Sequence, residues 1–190
     1  MTGAAPRRHG TALALAAALG LAALGLAGCD EGPAVTVNFS QGTVVWDDFA
    51  YAAQKGPVLV EIHGNPLGTR DVETLVRMVR GELKSAVMGR VVEFTVYPEE
   101  APAPGHRVVL AFDPAADQSG ARLCAGQAPA PATGDDGRIH LRAVYCADGQ
   151  RLSDVQGWIK RPRTPGEDEH LRKLIWQVGQ TLIGRREEPR

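Results

Sequence analysis

Residues 58–96, VLVEIHGNPLGTRDVETLVRMVRGELKSAVMGRVVEFTV, contain the clearest succession of patterns in the chain and decide the fold class. Apolar residues in alternate positions predict a strand over 58–63, and a second alternation predicts another over 92–96. Between them, apolar residues recur at helical spacing, so an amphipathic helix is expected that ends at Gly89. A right-handed crossover would place the two strands parallel in one sheet. The stripe of the helix consists of Val72, Leu75, Val76, Val79 and Leu83.

The residues before this unit predict two strands and a short helix. Apolar and polar residues alternate over 35–40, which indicates a strand with one solvent-facing side. Gln41-Gly42 is a turn signal, and the residues at 43–46 predict a second short strand. Asp47-Asp48 can then cap a helix over 49–55.

After the unit, three more strands and a loop are predicted. Residues 107–112 are almost all apolar, as expected of a strand that is covered on both faces. Short runs predict strands over 121–124 and 138–146, which would form a hairpin around the intervening loop. That loop, 125–137, has little apolar bulk and is predicted to be mobile.

The last helix has the clearest boundaries. Thr164-Pro165-Gly166-Glu167 matches a capping box with proline at the first helical position, and Gly184 is a stop signal. Together the elements predict an α/β fold of the α+β type. We expect a two-layer sandwich, in which a mainly antiparallel sheet of six or seven strands carries two principal helices on one face. The apolar stripe of the last helix consists of Leu171, Leu174, Ile175, Val178 and Leu182.

The first 28 residues have the features of an export signal. Arg7 and Arg8 precede an uncharged run of 18 residues, 11–28, and small residues come before Cys29. Leu26-Ala27-Gly28-Cys29 resembles the lipobox of bacterial lipoproteins. The resemblance implies that the bond before Cys29 is cut and that its thiol carries diacylglycerol. An uncleaved anchor is the alternative, because about 18 apolar residues are near the lower limit for a membrane-spanning helix.

The expected organisation is a signal peptide over 1–28, a short tether over 29–34, a single α/β domain over 35–184 and a frayed tail over 185–190. The mature protein would be a periplasmic lipoprotein that its lipid holds at a membrane. Asp30-Glu31 looks like the signal that keeps lipoproteins of enteric bacteria in the inner membrane. The inner membrane is therefore favoured over the outer membrane.

Cysteine usage predicts one disulfide. Of the three cysteines, lipidation uses Cys29. Cys124 and Cys146 remain in a compartment where disulfides persist, and only one pairing is possible. The predicted hairpin would place them opposite each other, and closing a loop of about 20 residues adds roughly 3 kcal/mol of stability. A redox pair is the alternative, but the sequence has no Cys-x-x-Cys motif.

Glu61 and His63 are the pair of residues that suggests acid–base or metal chemistry. They lie two apart on a predicted strand and so on one face. His106, His140 and His170 are isolated in sequence, and no serine lies in a nucleophile motif. The sequence therefore predicts no catalytic residue, no metal site and no cofactor. An envelope hydrolase or a metal-dependent enzyme with a site near Glu61 and His63 stays open as the alternative.

The sequence contains one basic cluster, formed by Lys160, Arg161 and Arg163 next to Trp158. These side chains could contact anionic lipid head groups at about 1 kcal/mol per charge, or they could lie in a solvated loop before the last helix. Net charge argues against a nucleic-acid partner. Without residues 1–28, which hold two arginines, 19 basic residues stand against 22 acidic ones.

Together these features favour a non-catalytic binding or assembly module of the cell envelope. Its partner would be an envelope protein, the cell wall or a small ligand. Small helix-over-sheet domains of this kind recur in periplasmic lipoproteins that help to assemble or regulate envelope machines, which is an analogy at the level of the fold alone. The alternatives are the enzyme described above and a purely structural lipoprotein that only occupies the membrane surface.

Overall fold

The structure, a computed structural model, describes residues 33–68, 72–161 and 169–184. Within them, six strands form one open sheet in the order β1-β6-β5-β4-β2-β3. Strand β2 is parallel to β3 and to β4, whereas each pair from β4 through β5 and β6 to β1 is antiparallel. The strands are β1 (Ala34–Ser40), β2 (Val58–His63), β3 (Phe94–Thr95), β4 (His106–Phe112), β5 (Arg138–Ala147) and β6 (Gln150–Lys160).

Among the α-helices of the described residues, three cover one face of this sheet and enclose the main core, while a short fourth lies on the other face. The helices of the main core layer are α1 (Thr43–Lys55), α2 (Val72–Ala86) and α4 (Glu169–Ile183). The short helix is α3 (Gly120–Cys124). The predicted fold class is therefore confirmed, with α2 and α4 as the two principal helices.

Strand β4 shows why its sequence is almost entirely apolar. Val108 and Leu110 face the main core, whereas the alternate residues Val109 and Ala111 pack under α3 on the other face. A strand that is buried on both sides cannot alternate between apolar and polar residues. The expectation that this strand is covered on both faces is confirmed.

The β-α-β unit at residues 58–96 is present, with β2 and β3 parallel as predicted. Strand β3 is shorter than the predicted 92–96, because only Phe94 and Thr95 pair with β2. The helix stripe also differs at its start, where Val72 is 59% exposed. Met78 is buried instead, since it lies three residues after Leu75 on the face that packs on the sheet.

The strand predicted over 43–46 is wrong, because these residues form the first turn of α1. Their β-branched side chains suggested a strand. However, Val45 and Phe49 are four residues apart and both buried, so the helical apolar period extends to the start of the segment. Strand β1 is consequently not in a hairpin with these residues and pairs with β6 instead.

The strand predicted over 121–124 is also wrong, because these residues belong to α3. Ser119 provides the N-cap, since its side chain accepts a hydrogen bond from the backbone N–H of Arg122. The hairpin partner of β5 is β6, which the sequence analysis did not predict. Asp148 and Gly149, both at positive φ, form the tight turn between these two strands.

The remaining segments agree with the prediction where they are described. The loop over 125–137 has no regular helix or strand, and its mobility stays a prediction. The apolar stripe of α4 is buried as expected. The lipobox, the capping box at 164–167 and the tail lie outside the described residues. In the part of the chain that the structure describes, no helix is both long and apolar enough to span a bilayer.

Candidate functional site

A groove of about 910 Å³ lies on the sheet face opposite the main core. Helix α3 covers only the part of this face near the disulfide. The uncovered parts of β5, β6 and β1 line the groove. Residues 113–116 and 131–136 form the wall of the groove. We call this cavity the sheet groove.

The floor of the sheet groove consists of two rows of side chains that the strand register aligns. In one row, His140 on β5 lies opposite Trp158 on β6. In the next row, Gln156 on β6 lies opposite Arg142 on β5 and Thr36 on β1. Residues directly opposite each other share a face, so these side chains meet although they are far apart in sequence.

Asp113 fixes the wall of the sheet groove to its floor. Its carboxylate accepts hydrogen bonds from the backbone N–H of His140 and from Nη2 of Arg161, both at 2.8 Å. Its carbonyl oxygen accepts a hydrogen bond from the N–H of Ala132 at 2.9 Å. The backbone of Asp113 has a φ of 45°, a conformation that few residues other than glycine and asparagine or aspartate adopt.

The ionisable side chains of the wall form ion pairs and hydrogen bonds with one another and with the floor. Arg161 lies 2.8 Å from Asp113 and 3.6 Å from Asp135. Burial on its own would lower the pKa of Arg161, but the two carboxylates outweigh it and raise that pKa above its usual value. His140 Nε2 lies 2.8 Å from Asp136, and this hydrogen bond lowers the pKa of the Asp136 carboxyl although desolvation opposes the shift.

Arg138 and Trp158 form the planar part of the floor. The guanidinium carbon of Arg138 lies 4.0 Å from the centroid of the Trp158 ring, which is the geometry of a cation–π contact. Trp158 is partly buried and lines the sheet groove together with His140. Three flat side chains are thus neighbours in one part of the floor.

A fully buried carboxylate supports the floor from one side. Asp154 on β6 lies 2.8 Å from Arg142 and 3.1 Å from Arg151, and accepts a hydrogen bond from Asn38 at 3.2 Å. Gly120 lets α3 approach this carboxylate, since a Cβ there would lie 2.3 Å from Asp154 Oδ2. Arg142 is therefore oriented by a buried partner where it lines the sheet groove.

Glu61 and His63 lie on one face of the sheet, as predicted. This is also the face of the sheet groove, but the two residues lie outside that groove. They line a smaller, mainly apolar cavity of about 510 Å³ at the carboxyl end of β2. Glu61 Oε1 lies 2.9 Å from Nε of Arg107, whose Nη2 also donates to the carbonyl of Cys124. Within residues 33–68, 72–161 and 169–184, no group of three or more His, Cys, Asp or Glu side chains could hold a metal ion.

A cluster that sequence analysis missed joins α1 to the sheet. The buried Tyr145 hydroxyl donates to Asp48 at 2.7 Å, and His106 Nε2 lies 3.5 Å from the same carboxylate. Burial and the hydrogen bond to Asp48 raise the pKa of Tyr145 well above its ordinary value. Asp48 and Tyr145 are 97 positions apart, so the sequence holds no local signal for this contact.

The two remaining cysteines, Cys124 and Cys146, are joined by a disulfide, with their Cα atoms 5.4 Å apart. The pairing is the predicted one, but its setting differs, because the bond links α3 to β5 rather than two strands of a hairpin. The disulfide lies among Val109, Ala111 and Val144 in the small core under α3.

The basic cluster is divided between two environments. Lys160 is exposed at the end of β6, whereas Arg161 is turned into the sheet groove and bound by carboxylates. Arg163 lies outside the described residues. Contact of this cluster with membrane lipids stays a prediction.

Comparisons of the whole chain with models of known protein families, with curated proteins and with solved structures give no match.

Proposed function

We propose that this chain is a bacterial lipoprotein that acts as a non-catalytic binding or assembly module of the cell envelope. The observation that carries the proposal is the sheet groove, a large open cavity on a hydrogen-bonded sheet. The pairs Arg161–Asp113 and His140–Asp136 link its polar wall to the strands. These contacts reduce the cost of ordering the side chains of the wall when a ligand arrives.

The proposed anchor would hold this groove close to a bilayer. Only five peptide units separate Cys29 from Ala34, the first residue of β1, and a chain of this length spans at most about 18 Å. Thr36, which lines the sheet groove, follows two residues later. The location that we propose is the periplasmic face of the inner membrane, with Asp30-Glu31 as the retention signal.

The proposal is tested by crosslinking the tagged, exported protein in cells and identifying its partners by mass spectrometry. We expect one dominant envelope partner or cell-wall fragment. Its recovery should fall when Cys29→Ser releases the protein from the membrane and when Gln156→Arg obstructs the sheet groove. Lys173→Ala, on the exposed side of α4, is the matched control and should leave recovery unchanged.

Two further readouts separate the parts of the proposal. Metabolic labelling with radioactive palmitate should mark the wild-type protein and not the Cys29→Ser variant. If no specific partner is recovered, the binding module is rejected even when the lipid is present. The protein would then be screened for hydrolytic activity at Glu61 and His63.

A further inference from the structure

We propose that the sheet groove binds an uncharged glycan, a chain of sugar rings that carries hydroxyl and N-acetyl groups. The inference rests on the proposed binding function and names the ligand class of that same site. Three properties of the groove carry it: its charge balance, its flat floor and the polar side chains between them.

The first property is that the ionised side chains of the sheet groove balance in number and contact one another. Three carboxylates and three guanidinium groups line the groove. Asp113 and Asp135 both contact Arg161, and Asp136 is hydrogen-bonded to His140. Below the floor, the buried Asp154 forms an ion pair with Arg142. A strongly charged ligand would have to compete with these pairs and would leave one partner of each unpaired at a cost. An uncharged ligand can hydrogen-bond to the pairs without breaking them.

The second property is the flat, polarisable surface. The guanidinium carbon of Arg138 lies 4.0 Å from the centroid of the Trp158 ring, over one face of the indole, and His140 lies directly opposite Trp158 in the register. The C–H face of a sugar ring is apolar, while its hydroxyl groups point outward from the ring edge. Such a ring can pack on an aromatic side chain and still keep its hydroxyl groups in a polar surrounding.

The third property is a pair of exposed, uncharged polar side chains. Thr36 and Gln156 lie side by side on adjacent strands and both line the groove. A hydroxyl and an amide each donate and accept hydrogen bonds, as sugar hydroxyl and N-acetyl groups do. The groove, at about 910 Å³, is near the upper end of small-molecule sites, which suits several linked rings.

The experiment titrates the full-length lipoprotein, held in uncharged detergent micelles, with chitotetraose, an uncharged chain of N-acetylglucosamine. Tryptophan fluorescence reports binding, because Trp158 lies in the floor of the groove. We expect a saturable fluorescence change in the wild type and none in Trp158→Phe. Calorimetry should show that Trp158→Phe binds chitotetraose about tenfold more weakly than the wild type. Trp176→Phe on α4, across the sheet from the groove, is the matched control and should change neither.

A second variant keeps the test independent of tryptophan packing. Thr36→Val with Gln156→Ala alters only exposed side chains, so its thermal unfolding should match the wild type while its affinity for chitotetraose falls. Oligolysine and a sulfated oligosaccharide are titrated as charged comparators and should bind more weakly. Salt up to about 0.5 M should leave chitotetraose binding unchanged.

The proposal is overturned if chitotetraose does not bind, or if it binds equally well to all groove variants. It is also overturned if a charged comparator binds more tightly and loses its affinity in Trp158→Phe. Failure of the glycan can be distinguished from failure of the binding function. A protein partner that crosslinks in cells and is lost in Gln156→Arg would preserve the module and reject the glycan.

Discussion

The hydroxyl of Tyr145 donates a hydrogen bond to Oδ1 of Asp48 across 2.7 Å, and so connects the C-terminal part of β5 to α1. Tyr145 is fully buried, and its ring meets Phe49 edge to face with centroids 5.6 Å apart. One side chain therefore holds the helix by an aromatic contact and by a hydrogen bond to a carboxylate. Tyr145→Phe keeps the ring contact and removes only the hydrogen bond to the carboxylate. The substitution should lower the free energy of unfolding by about 1.5–3 kcal/mol.

The same residue should give the protein a specific weakness at alkaline pH. The raised pKa of Tyr145 means that the folded protein keeps a proton which the unfolded chain loses near pH 10. The stabilisation is therefore complete below about pH 10 and is lost as pH rises above it, at up to about 1.4 kcal/mol per pH unit. Urea denaturation between pH 9 and about 11.5 measures this slope. The slope should be shallower in Tyr145→Phe than in the wild type. Tyr51→Phe is the control, because Tyr51 is exposed, and its slope should equal that of the wild type. Equal slopes in all three proteins would contradict the prediction.

Reduction of the disulfide should destabilise the domain without abolishing its sheet. Cys124 and Cys146 are 22 positions apart, and opening a loop of this size costs roughly 3 kcal/mol in the chain-entropy model. Because α3 has only five residues, its contacts with the small core should loosen first. Hydrogen exchange of residues 120–124 with and without reductant measures this effect. Uniform loss of protection across β5 and β6 would show that the bond supports the whole sheet instead.

Removing the buried carboxylate of Asp154 should be among the most damaging single changes. Asp154→Ala leaves Arg142 and Arg151 without their shared partner, and breaking a buried ion pair in this way costs about 3–5 kcal/mol. Asp117→Ala is the control, since Asp117 pairs with Arg122 at the surface and should matter by less than about 1 kcal/mol. Chemical denaturation of both variants provides the comparison, and similar losses in the two would refute the distinction.

Gly64 and Gly89 offer a matched test of close packing against backbone conformation. Both have nearly the same positive φ, 77° and 79°, so alanine at either position costs about 1–2 kcal/mol. At Gly64 a Cβ would also lie 2.5 Å from the carbonyl oxygen of Phe112, whereas nothing lies within 4 Å at Gly89. Gly64→Ala should therefore lower the unfolding midpoint clearly more than Gly89→Ala. Equal midpoints would mean that the ends of β2 and β4 can separate freely.

The β-α-β unit and the last helix could be predicted because each buries one continuous stripe. Strand β6 could not be predicted from apolar alternation, because it buries Ser153 and Asp154 and contains Gly157. The Asp148-Gly149 turn before it was the available signal. The two short segments at 43–46 and 121–124 were ambiguous, since runs of this length fit a strand or a helix equally well.

The sheet groove was beyond sequence analysis for a related reason. The floor of the groove depends on the register of β6 between β5 and β1. Because β6 was not predicted, the proximity of Trp158 to His140 could not be predicted either. Asp113 and Arg161 are 48 positions apart, and no local pattern connects them. The disulfide was predictable because elimination left one pairing, although the predicted hairpin around it was wrong.

Strand β1 lines the sheet groove and is also the first strand after the proposed tether. With a lipid on Cys29, tension on the membrane attachment would enter the fold at Ala34 and pass to Trp158 through the backbone bonds of β1 and β6. Because β1 is at the edge of the sheet, a pull directed outward would open these bonds one after another, starting beside the indole. Mechanical load on the attachment would thus reach the floor of the groove before it reached any helix.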